Sequence, residues 1–152
     1  MNALSDRFAE LTDGFAREAG LPCVISDDGR TAELAPEGVH VHLACAEEAG
    51  LVYFQAGCAL VPAENDPDRA FFLTKLLSAN NLFAGTQGFT LGLDDDLVTV
   101  QYACEIAPLD AERFSTLIQN LLTVCADWSV RLGSADDAVP PGSAMLPDGL
   151  SV

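Results

Sequence analysis

Positive charge is scarce in this chain: seven Lys and Arg stand against 23 Asp and Glu in 152 residues, leaving a net charge of −16. A chain of phosphates would be repelled, and no Lys/Arg cluster exists to replace its counterions, so nucleic-acid binding is excluded. A basic or amphipathic polypeptide is the more natural partner, although acidity also serves simple solubility. Two histidines and seven basic side chains leave little for acid–base or phosphoryl chemistry. Long apolar runs are missing as well, none approaching the ~20 residues that span a bilayer, so no membrane insertion is expected. Met1 to Gly20 is interrupted by Asp6, Arg7, Glu10, Asp13, Arg17 and Glu18, which is not a signal peptide. The five cysteines, Cys23, Cys45, Cys58, Cys104 and Cys125, form no CxxC pair. An odd count without metal spacing reads as reduced, mostly buried thiols of a cytoplasmic protein.

Motifs of catalysis are equally sparse. Gly85, Gly88 and Gly92 precede a strand and are not followed by Lys-Ser/Thr, so they make no phosphate loop. Asp94, Asp95 and Asp96 lack the ligand ladder and closing glutamate of an EF-hand. No GxSxG is present, and nothing pairs a Ser or Cys nucleophile with a histidine. His40 and His42, two apart, would put both rings on one face of a strand, but no third ligand is marked by spacing. The expectation is no enzyme, no metal and no cofactor.

What the chain does have is apolar periodicity. Composition, with 49% hydrophobic and 20% charged residues, is that of one globular domain. Leu4, Phe8, Leu11 and Phe15 line one face of a helix over residues 3–19, with Ser5, Asp6, Glu10, Asp13 and Glu18 falling largely elsewhere; Gly20 and Pro22 end it. Alternation then takes over. Thr31 to Leu34, then Val39, Val41, Leu43 and Cys45 set against His40, His42 and Ala44, then Leu51 to Leu60, predict three strands of an antiparallel meander, with Val24 and Ile25 as a lead-in.

The second helix starts near Pro67, with Asp66 as its N-cap, carries Phe72, Leu73, Leu76 and Leu77, and stops at Asn80 and Asn81. A hairpin follows, Phe89, Leu91 and Leu93 then Val98, Val100 and Tyr102, turned by the three aspartates. Residues 110–132 form a helix through Phe114, Leu117, Ile118, Leu121, Leu122, Cys125, Trp128 and Leu132. The fold class is α+β, a small antiparallel sheet with helices in the order α-β-β-β-α-β-β-α. Residues 1–132 make the domain, and 133–152, rich in proline and glycine, a flexible C-terminal tail.

Apolar surface is left over. Phe71 and Phe72 are ~100° apart on a helix and cannot both enter one core. Together with Leu76 and Phe83 they exceed what one helix face needs, which points to a partner or a second copy, or else to a wide face buried in the monomer.

The segment LLSANNLFAGTQGFTLGLDDD, Leu76 to Asp96, followed by a strand and a long helix from Leu109 to Trp128, resembles the class I type III secretion chaperones of the Tir-chaperone (CesT-like) family. The resemblance covers about Leu4 to Leu132. It implies a small acidic cytoplasmic homodimer without enzymatic activity or cofactor. Such a protein binds the N-terminal region of a secreted effector in extended form and keeps it ready for export. By position it implies a dimer interface at Phe71, Phe72, Lys75, Leu76, Phe89 and Leu91. It places effector binding on the first helix and the exposed sheet face, at Leu4, Phe8, Leu11, Val39, Val41 and Leu43. Of the other classes, a small-ligand protein or enzyme with a helix/sheet pocket predicts a titrating His40 or His42, and an adaptor predicts a folded partner.

Overall fold

The structure is a computed structural model that describes residues 3–81 and 88–133. Gly133 closes the last helix; the rest of the expected tail, residues 134–152, and Phe83 and Gly85 lie outside the described residues. The elements are α1 (Ala3–Ala19), β1 (Val24–Ile25), β2 (Thr31–Leu34), β3 (Val41–Ala46), β4 (Leu51–Leu60), α2 (Arg69–Asn80), β5 (Thr90–Asp94), β6 (Leu97–Glu105) and α3 (Ala111–Gly133). The strands make one six-stranded antiparallel sheet in the order β1-β2-β3-β4-β6-β5. The α+β class holds, with one strand more than the periodicity gave. Val24 and Ile25 pair with Glu33 and Ala32, so the lead-in is the terminal strand of the sheet.

Contacts divide the chain into two compact units, one from residues 1–57 with 101–122 and the other from 58–100 with 123–152. In the first, β2, β3 and β4 bury every second side chain: Ala32 and Leu34, then Val41, Leu43 and Cys45, then Val52, Phe54 and Ala56. The register puts Leu43 opposite both Ala32 and Phe54, one continuous apolar row across three strands. Phe54 meets Phe114 of α3 at 5.5 Å between ring centres, and Phe114 meets Phe15 of α1 edge-on at 6.2 Å. Helices therefore cover this face of the sheet, and burying such rings is the main stabilisation of the unit.

Helix α1 is rotated relative to the face read from its apolar residues. Ser5, Phe8, Leu11, Thr12 and Ala16 are buried, while Leu4 and Phe15 sit at the margin, half-buried. Small polar side chains are tolerated inside where their hydrogen bonds are met locally: Thr12 Oγ1 donates to the Phe8 carbonyl at 2.8 Å. Ser5, expected outside the stripe, is 1% exposed.

In the second unit, Phe72, Leu76 and Ala79 of α2, Phe89 and Leu91, Val98 and Val100 of β6, and Val124, Cys125 and Trp128 of α3 are buried. Helix α2 begins at Arg69, two residues later than Pro67 suggested. Asp66 instead builds the turn ahead of it, its Oδ1 accepting the Asp68 N–H at 2.8 Å and its carbonyl the Arg69 N–H. Asp94 belongs to β5, so the hairpin turns on Asp95 and Asp96 alone, Asp95 taking φ 55°, a left-handed conformation that aspartate tolerates.

Candidate functional site

The first unit leaves one sheet face open. Residues directly opposite on antiparallel strands share a face. Its rows are Val24, Glu33, His42 and Gln55, and beside it Thr31, Ala44 and Tyr53. Val24 is 71% and Tyr53 45% exposed, with Ala44, His42 and Gln55 half-buried between them. The surface is thus a shallow mixed strip of apolar anchors around polar groups, with β1 as its rim.

Both histidines of the chain converge on Glu33 in that strip. His40 Nε2 lies 2.9 Å from one carboxylate oxygen and His42 Nδ1 3.6 Å from the other. An ionised carboxylate only accepts, so His40 donates from Nε2. That hydrogen bond, followed by the fields of the two imidazoles, holds the Glu33 carboxyl below its usual range. Among the described residues no group of three His, Cys, Asp or Glu side chains is arranged to hold a metal ion.

Of the residues assigned to effector binding, Leu4 and Val39 are half-buried and reachable. Phe8, Val41 and Leu43 are fully enclosed and Leu11 nearly so. The parity of β3 decides this. Val41 and Leu43 point to the helix-covered side, and the exposed side carries His42, Ala44 and, across on β4, Tyr53 and Gln55. Sequence reasoning missed Val24, Ala44 and Tyr53; the mixed polar and apolar alternation of β4 was the signal for the last.

In the second unit α2 packs against β5. Of the residues assigned to a dimer interface, Phe72, Leu76, Phe89 and Leu91 fill the core of this unit, and Phe71 and Lys75 are half-buried at its surface. Lys75 Nζ donates to the Arg131 carbonyl at 3.1 Å, satisfying an end of α3 that its own backbone cannot. Leu77, one of the apolar residues that mark the helix, is 72% exposed, and Leu93, Leu60 and Val130 are also open.

A small-molecule site finds little support. An open depression of about 470 Å³ is lined by Cys104, Glu105, Pro108, Leu109, Asp110 and Arg113. Neither histidine reaches it, and its Asp110 is engaged in capping α3, accepting the Arg113 N–H at 2.8 Å.

Among the described residues, three α-helices and a six-stranded antiparallel sheet make an α+β fold, and the first unit leaves an amphipathic sheet face open. The sequence matches the Tir chaperone protein (CesT) family over residues 10–129, and the chain belongs to that family. It is an effector-binding chaperone of type III secretion. Family and fold are those of secretion chaperones rather than of enzymes. No curated protein matches the chain by sequence.

Among solved structures, the ExsC–ExsE complex is similar at 24% identity, with a TM-score of 0.71, covering 87% of this chain and 97% of that one. The type III secretion chaperone SycH of Yersinia pestis, solved with a stable fragment of YscM2, is 20% identical with a TM-score of 0.56, covering 82% and 98%. The ExoU–SpcU complex of Pseudomonas aeruginosa is 20% identical with a TM-score of 0.54, covering 79% and 93%. These likenesses concern the fold. Among the described residues, no helix is long and apolar enough to cross a membrane.

Proposed function

We propose that the chain works as a cytoplasmic homodimer that binds the N-terminal segment of a secreted effector in extended form, keeps it export-competent and catalyses no reaction. The observation that carries this reading is the open strip around Val24, Ala44 and Tyr53, rimmed by β1. An extended segment adds a strand at β1 and lays alternate side chains over the strip, with Leu4 and Val39 as further contacts. Phe8, Leu11, Val41 and Leu43 act from beneath, holding that surface in shape. The chaperone complexes among the similar structures, SycH with its YscM2 fragment and SpcU with ExoU, support a protein partner of this kind.

Shallow contacts suit the task. Ordering a long disordered segment costs conformational entropy, so its net affinity stays modest and release at export is feasible. The acidic surface favours a segment carrying positive charge. For the dimer, Phe71 and Lys75 lie at the contact, with Leu77 and Leu93 added from their exposure, while Phe72, Leu76, Phe89 and Leu91 support it from within. The test is affinity capture of the tagged protein from its own cells, with mass spectrometry of what it retains. One dominant secreted protein supports the reading. A metabolite without protein, or a set of folded housekeeping proteins, contradicts it.

A further inference from the structure

Five free thiols are present, and two of them lie on elements that pack together. Cys58 lies near the end of β4, half-buried; Cys125 lies in the later half of α3 at 1% exposure. Ser129, one turn beyond Cys125 and on the same face of the helix, donates from Oγ to the Cys58 carbonyl at 2.6 Å. That contact holds the face of α3 that carries Cys125 against residue 58, and each of the two thiols shifts the other's titration. Two cysteines on elements pinned together in this way are placed for the ~2.05 Å bond of a disulfide.

We propose that Cys58 and Cys125 are an oxidisable pair, closed by hydroperoxides into an intramolecular disulfide. The neighbouring Cys58 draws the Cys125 thiol below its usual range, while Cys125 and burial push the Cys58 thiol up. By contrast, burial first of all raises the Cys23, Cys45 and Cys104 thiols. The peroxide enters from the half-buried Cys58 side. The Cys125 thiolate attacks one peroxide oxygen, the O–O bond breaks, and the departing alkoxide or hydroxide takes up a proton. Cys58 then attacks the sulfenic sulfur, gives up its proton, and water leaves. In sum two thiols and one hydroperoxide give one disulfide, one alcohol (water from hydrogen peroxide) and one water, two electrons passing from sulfur to the peroxide. The new bond ties the end of β4 to α3, and the loop it closes contains all of α2 and β5.

The test treats the reduced full chain with hydrogen peroxide, alkylates it under denaturing conditions and maps its peptides. The expected result is a fall from five alkylatable thiols to three, with a Cys58–Cys125 linked peptide that thiol reductants remove and a raised thermal midpoint. Cys58→Ser should leave a sulfenic acid on Cys125 that dimedone traps and no linked peptide. Five thiols surviving peroxide, a link through any other cysteine, or oxygen addition without linkage in the wild-type chain would overturn the proposal, whatever the variant's folding.

Discussion

The side chain of Asn80 grips the backbone of Leu91 from both sides, Nδ2 donating to the Leu91 carbonyl and Oδ1 accepting the Leu91 N–H, each at 2.8 Å. Asn80 ends α2 and Leu91 lies in β5, the strand at the opposite end of the sheet order from β1. The amide stands in for the neighbouring strand that an edge residue lacks. It closes that edge at Leu91, while the β1 end of the order carries the surface assigned to the effector.

Asn80→Ala should therefore destabilise the chain by about 1–3 kcal/mol, because two part-buried backbone groups lose their partners. Urea unfolding measures the loss, and amide exchange at Leu91 should accelerate by a similar factor. An unchanged midpoint would mean that water replaces the amide without cost.

Phe8 is fully enclosed beneath the first unit's sheet, so it is a folding residue before it is a binding one. Phe8→Ala should cost about 3–5 kcal/mol, read by thermal or urea unfolding. Phe8→Glu, which the family resemblance would offer as a probe that spares the dimer, instead buries a charge and should unfold the first unit.

Surface probes divide the two proposed interfaces. Tyr53→Glu on the open strip should weaken effector capture roughly tenfold or more and leave the light-scattering mass unchanged. Leu77→Glu on α2 should halve that mass and leave the chain folded by circular dichroism. A Tyr53→Glu protein that becomes monomeric would show that the division of surfaces is wrong.

The Glu33 carboxyl is held below its usual 4.5 chiefly by the hydrogen bond from His40. Its folded pKa is thus lower than its unfolded one, and the folded chain binds fewer protons. The stabilising contribution is fully present above about pH 4.5 and is lost as the pH falls through the depressed value. Carboxyl NMR titration should return Glu33 toward 4.5 in His40→Ala. The same titration should find Asp28 below its usual 3.8, since the Ser26 hydroxyl and the Arg30 N–H donate to it.

The fold was legible wherever periodicity met burial. Phe114, Leu117, Ile118 and Leu121 mark α3, and Val41, Leu43 and Cys45 mark a strand, because each pattern is enforced by one covered face. The site was less legible, since a strand's apolar side chains announce which face is covered and not which is open. The family resemblance places Val41 and Leu43 on the exposed sheet face, yet their apolarity puts them under the helices. Val24, on a two-residue strand, had too little sequence around it to show alternation. Ser5 and Thr12 look like surface residues, and only a hydrogen bond such as that of Thr12 to Phe8 explains a buried one. The Asn80–Leu91 grip, eleven residues apart, has no periodic signature at all.

The central claim, that this chaperone holds the N-terminal segment of an effector in extended form, is tested most directly by limited proteolysis of the purified complex combined with its mass by light scattering. The account predicts two copies of this chain with one effector, protected only near the effector's N-terminus and cleaved freely elsewhere. Protection of a compact folded effector domain, or a complex with a single copy of this chain, would contradict it.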